Sequence, residues 1–197
     1  MKLILFCLAL LGSASTVSPQ DTKQKSINPK SPFNHDGKFV TKFEADENTT
    51  HVFLEPIIVE SSESAKTSLR LGADFQYEGK SSVKPKHISL AFYTFYPQCK
   101  FSGKPKMTLF LDGESTEFRF SFKSFRERKP DEEGIAFSFN DIEGDRCNGL
   151  VVMFISQENF RKVVKARNVD VQIDDFKFKL KESNLEALRD LASRMTM

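Results

Sequence analysis

The chain has 197 residues, with 29 Lys plus Arg against 27 Asp plus Glu and a formal net charge of +2. So even a balance excludes bulk electrostatic attraction to nucleic acid or anionic lipid, and no nucleic-acid partner is expected. Twenty Phe against three Tyr and no Trp place the aromatic mass in a Phe-built core, and about 180 residues beyond a leader suffice for one domain with a real interior.

Residues 1–15 have the order of a cleavable secretory signal. Lys2 precedes the apolar stretch Leu3 to Leu11, and the small residues Gly12, Ser13, Ala14 and Ser15 follow. The stretch is shorter than the roughly 20 apolar residues that span a bilayer, and no later segment matches it, so no transmembrane segment is expected. Cleavage is expected after Ala14 or Ser15, delivering the chain to the periplasm or the medium. Cys7 sits mid-stretch, with too few apolar residues before it to mark a lipid-modified cysteine.

Loss of the signal leaves Cys99 and Cys147 as an even pair in a compartment where disulfides persist. A bond between them is favoured over two buried thiols. Closing a loop of roughly 48 residues contributes about 4 kcal/mol in the chain-entropy picture.

Residues 16–38 hold Pro19, Pro29 and Pro32 among Ser, Lys and Gln, with no period of 2 or 3.6. They are expected to form a disordered polar leader ahead of a single β-rich domain over 39–197. Within that domain the segments 51–59 and 87–96 are continuously apolar and suit central strands. Pro56 requires a bulge or an edge position in the first of them. Leu69, Leu71, Ala73, Phe75 and Tyr77 alternate with Arg70, Gly72, Asp74 and Gln76, one buried and one wet face of a strand. Phe118, Phe120 and Phe122 alternate in the same way with Arg119, Ser121 and Lys123.

Asp112-Gly113 and Asp174-Asp175 each stand between two strand-like runs and predict hairpin turns. The charged segment Arg126–Gly134 around Pro130 predicts an exposed loop. Ser156 is placed to cap a short helix with Phe160, Val163 and Val164 on one face. Ser183 with Glu186 matches a capping box opening a last helix. Leu185, Leu188, Leu191 and Met195 form its apolar stripe, with Arg189 and Asp190 facing water. The expected class is therefore α+β, predominantly antiparallel β: a sheet or sandwich with two short C-terminal helices packed on it.

The run from Phe154-Ile155-Ser156 through Glu158-Asn159-Phe160, Val169–Ile173, Phe176–Leu180 and Leu185–Leu191, with Leu111-Asp112-Gly113 upstream, resembles the C-terminal pattern of uncharacterised exported proteins of environmental bacteria. The resemblance implies export and a strand, helix, hairpin and helix in succession. It differs in the hairpin turn, where the family pattern has Gly and this chain has Asp174-Asp175. It implies no activity, so no catalytic residue follows from it.

The mature chain contains no GxSxG, HExxH, P-loop or GxGxxG. His35, His51 and His87 lack metal-ligand spacing, and neither a catalytic, a metal-binding nor a cofactor-binding residue is expected. The acidic run Asn140–Asp145 offers oxygen ligands of the kind Ca²⁺ takes, but an acidic turn beside Cys147 explains it as well. Arg119, Lys123, Lys177, Lys179 and Lys181 suit the wet face of amphipathic strands. Asn48-Thr49-Thr50 is a glycosylation sequon, used only in a eukaryotic secretory pathway. The function expected is an extracytoplasmic, non-enzymatic binding or structural module taking an apolar ligand or a protein partner. The alternative is a secreted hydrolase with a site assembled from distant residues, in which His51 or His87 would meet a carboxylate in a cleft.

Overall fold

The structure, a computed structural model, describes residues 31–81, 85, 87–96, 106–113, 133–142 and 146–195. The expected signal, Cys99, the Phe118–Lys123 strand, most of the charged loop and residues 143–145 of the acidic run lie outside the described residues.

The described residues form nine strands and two helices, all strand pairs antiparallel. In chain order they are β1 (Phe39–Glu44), β2 (Thr49–Ser62), β3 (Thr67–Glu78), β4 (His87–Tyr96), β5 (Met107–Leu111), β6 (Gly134–Ile142) and β7 (Arg146–Ile155). Then come α1 (Gln157–Lys165), β8 (Val169–Ile173), β9 (Phe176–Lys179) and α2 (Glu182–Ser193). Six strands make one sheet in the order β1-β2-β3-β4-β7-β6, and three make a second in the order β5-β8-β9. The fold is α+β, with the small sheet and both helices covering one face of the large one.

Alternation in the sequence decides which face is covered. Leu69, Leu71, Ala73, Phe75 and Tyr77 of β3 are all buried, as are Ile88, Leu90 and Phe92 of β4 and Val151, Met153 and Ile155 of β7. Val169, Val171 and Ile173 of β8 face them from the small sheet. Phe92 meets Phe178 of β9 edge-on with ring centroids 5.5 Å apart, and Tyr96 meets Phe176 at the same distance. These apolar side chains form one continuous core with Phe160 and Val163 of α1 and Leu185, Leu188 and Leu191 of α2. The expected bulge is present: the β2–β3 register shifts between Leu54 and Ile57, around Pro56.

Two aspartates staple the small sheet at opposite ends. Asp174 (φ 50°) and Asp112 (φ 52°) adopt the left-handed conformation that Asp tolerates better than most side chains. Asp174 Oδ1 accepts from the Lys106 N–H at 2.8 Å, tying the start of β5 to the end of β8. Asp112 Oδ1 accepts from the N–H groups of Arg167 and Asn168 at 2.9 and 2.8 Å, tying the other end. A glycine in the Asp174 turn would supply the backbone angle but not the carboxylate.

The helix caps are one match and one correction. Ser156 is the N-cap of α1, its Oγ accepting from the Asn159 N–H at 3.2 Å. The Glu133 carboxylate adds bonds from Ser156 N–H (2.7 Å) and Asn159 Nδ2 (2.9 Å). Burial would push the Glu133 carboxyl up, but these bonds outweigh it and hold it below the usual carboxylate range. Helix α2 starts earlier than the Ser183–Glu186 box implies, with Lys181 as N-cap. Asn184, buried, closes the first turn instead. Its Oδ1 accepts from Lys181 N–H at 2.9 Å and its Nδ2 donates to the Ile58 carbonyl of β2 at 3.1 Å, which fixes where the helix lands on the sheet.

Residues 31–38, within the expected leader, carry specific contacts to the domain. Glu55 N–H donates to the Lys38 carbonyl at 2.8 Å. Only 3% of the His35 side chain is exposed, against 5% for its partner Asp190 of α2.

Candidate functional site

Three places gather chemistry: the His35–Asp190 contact, the tip of the β1–β2 hairpin and the outer face of the large sheet.

At the first, His35 Nε2 lies 3.0 Å from Asp190 Oδ2, and His35 Nδ1 accepts from the Gly37 N–H at 3.0 Å. An Nδ1 that accepts fixes the tautomer, so Nε2 carries the proton and donates it to the carboxylate. Arg194 adds its Nε at 3.0 Å and Nη2 at 3.3 Å, and its guanidinium stacks 4.0 Å from the Phe39 ring centroid. Burial raises the Asp190 carboxyl, while bonds from Ser31, Arg194 and His35 pull it further the other way, so it stays below its ordinary value. Both imidazole nitrogens are occupied. The arrangement is a clasp holding the 31–38 arm to α2, and His35 has no lone pair left for general-base work.

At the second, His51 of β2 reaches across to Glu44, the last residue of β1, with Nε2 3.4 Å from Oε2. Lys42 holds the other oxygen, Oε1, at 2.8 Å, and that bond keeps the Glu44 carboxyl below its usual value. Glu47, in the turn between the strands, completes a set of three ligand atoms lying within 4.8 Å of one another. His51 Nε2 is buried and has no hydrogen-bond partner. Further along the same face, the Asp74 carboxylate accepts from Ser89 Oγ of β4. Burial is the larger influence there and pushes the Asp74 carboxyl up.

The third is the outer face itself. Strand register sets Arg70, Tyr93, Leu150 and Ser138 in one row across β3, β4, β7 and β6. Ser68, Phe95 and Asn148 form the next row. Between the rows runs an open groove of about 560 Å³. Gly72 makes room for its aromatic wall: a Cβ there would stand 3.1 Å from Tyr93 Cε2. The ring therefore lies over bare backbone, with Tyr93 39% exposed and Ile58 beside Arg70 on β2 51% exposed. A second groove of about 580 Å³ opens at the edge of the small sheet between Glu60, Phe110, Asp170 and Lys177. Both grooves lie on the surface, and neither is lined by a histidine.

Of the residues singled out in the sequence, His51 meets a carboxylate but away from either groove, and His35 is consumed in the clasp. His87 opens β4. Cys147 stands in β7 directly opposite Tyr96 of β4, three residues before Cys99 in the chain. Among the described residues no helix is long and apolar enough to cross a membrane. Comparisons with family models, with curated proteins and with solved structures find no match.

Proposed function

We propose that the chain is an extracytoplasmic β-rich binding module, without catalytic activity of its own, that takes its ligand on the outer face of the six-stranded sheet. The observation that carries this reading is the Tyr93 groove. Large apolar side chains on a wet sheet face raise the free energy of the unbound surface and mark sites of contact. The groove falls in the range of small-molecule sites, roughly 300–1,000 Å³. Tyr93, Phe95 and Leu150 supply the apolar bed, and Arg70 stands at one end of it. That combination suits an aromatic or aliphatic ligand bearing an acidic group.

The anionic dye 1-anilinonaphthalene-8-sulfonate has this chemistry and serves as the probe. Native protein should bind it saturably. Tyr93→Ala should weaken binding about tenfold, equivalent to about 1.4 kcal/mol, with no comparable change in the urea midpoint. Unchanged dye affinity in Tyr93→Ala would remove the groove from consideration. Loss of the natural partner but not of the dye would point to a protein surface as ligand.

Export is supported by the order of residues 1–15 and by the cysteines. Tyr96, three residues before Cys99 in the sequence, pairs with Cys147, which supports the expected disulfide. In a eukaryotic host the Asn48 sequon, exposed in the β1–β2 turn, is open to glycosylation.

A further inference from the structure

We propose that Glu44, Glu47 and His51 bind a divalent transition-metal ion, with Zn²⁺ as the ion that best suits the set. The site is independent of the outer-face groove and lies at the tip of the first hairpin.

Two carboxylates and one imidazole are N and O ligands of the kind borderline divalent ions accept. Ligand atoms about 2.1 Å from a tetrahedral ion lie about 3.4 Å apart. His51 Nε2 and Glu44 Oε2 already stand at 3.4 Å. Glu47 is exposed and brings its oxygen within 4.8 Å of both, so a side-chain rotation completes the triangle.

An independent sign comes from the histidine. Its Nε2 is shielded from water and faces Glu44 Oε2 at 3.4 Å without forming a good hydrogen bond. A metal ion facing Glu44 would satisfy that nitrogen.

The backbone between the ligands is held without a metal. Asn48 sits at φ 47°, and its N–H donates to the Ala45 carbonyl at 3.2 Å. Thr49 Oγ1 donates to the Glu47 carbonyl at 3.0 Å, and Gly79 N–H donates to the Asn48 carbonyl at 2.7 Å. Lys42 competes through Glu44 Oε1 but leaves Oε2 free to face His51, so Glu44 binds through one oxygen. Three protein ligands leave at least one position open to water or to an acidic group on a partner.

The test is calorimetric titration of the chelator-treated mature chain with Zn²⁺, with Co²⁺ as a spectroscopic substitute. One saturable site is expected, with no thiolate-to-metal absorption band in the Co²⁺ form. Glu47→Gln should weaken Zn²⁺ at least tenfold, His51→Gln should weaken it further, and Lys42→Gln should tighten it. Glu47 is exposed, so its variant should fold with an unchanged metal-free urea midpoint and separates ligand loss from misfolding. Absence of saturable binding, affinity unchanged in Glu47→Gln or His51→Gln, or a thiolate band would each overturn the site.

Discussion

Asp190→Ala is expected to lower the unfolding free energy at neutral pH by about 3 kcal/mol, the lower end of what breaking a buried ion pair costs. The carboxylate receives His35 Nε2–H at 3.0 Å and both Arg194 contacts. Removing it strands the N–H of an imidazole side chain that is only 3% exposed, with the desolvation penalty of an unpaired donor. Arg194 is partly exposed and recovers water, which keeps the loss from the top of the range. The sign of the pH dependence follows from the lowered carboxyl. Its stabilisation is full above the ordinary Asp value, roughly 3.9, and is lost as pH falls through the depressed folded value. Urea melts from pH 7 down to pH 2 should therefore show a shallower acid decline in Asp190→Asn than in the native chain. Parallel declines would show that Asp190 titrates alike folded and unfolded.

Leu188→Ala should cost about 2–5 kcal/mol, by lost transfer energy and the cavity left behind. Leu188 is fully buried, in the middle of the Leu185–Leu191 stripe that joins α2 to both α1 and the sheet. The urea midpoint should fall with little change in slope. An unchanged midpoint would mean that α2 is a free arm completed by a partner. The neighbouring Arg189 makes a sharper comparison than its place on the helix suggests. It donates to the carbonyls of Val164 and Ala166 at 3.0 Å each, satisfying acceptors at the end of α1 that have no helical partner. It also pairs with Glu182 and Glu186. The apolar stripe of the helix predicts Arg189 and Asp190 in water, where a truncation changes stability by less than about 0.5 kcal/mol. The structure puts Asp190 in the clasp and half-buries Arg189.

That error and the successes around it have one explanation. Features written in adjacent residues were legible: the alternation of β3, the bulge at Pro56, the Ser156 cap and the Asp174-Asp175 turn. Each depends on a period or on backbone angles within a few positions. Features made by register or by distant pairing were not. His35 looks like one more polar residue in a Pro-containing segment until Asp190, 155 positions later, is placed against it. Asn184 outcompetes the Ser183–Glu186 box only because the Ile58 carbonyl is there to receive it. The Glu44, Glu47 and His51 spacing matches no metal motif along the chain. It converges because β1 pairs Glu44 with Thr49 and Lys42 with His51, which sets Glu44 diagonally beside the imidazole. The outer-face groove likewise appears only when four strands align Arg70, Tyr93, Leu150 and Ser138.

Export with oxidation is tested most directly by the intact mass of protein collected from the periplasm or medium. The expected species lacks the first 14 or 15 residues and gains the mass of two hydrogens on reduction, as a Cys99–Cys147 bond requires. A chain that retains Met1 would contradict export, and a mass unmoved by reduction would leave two free thiols in place of the disulfide.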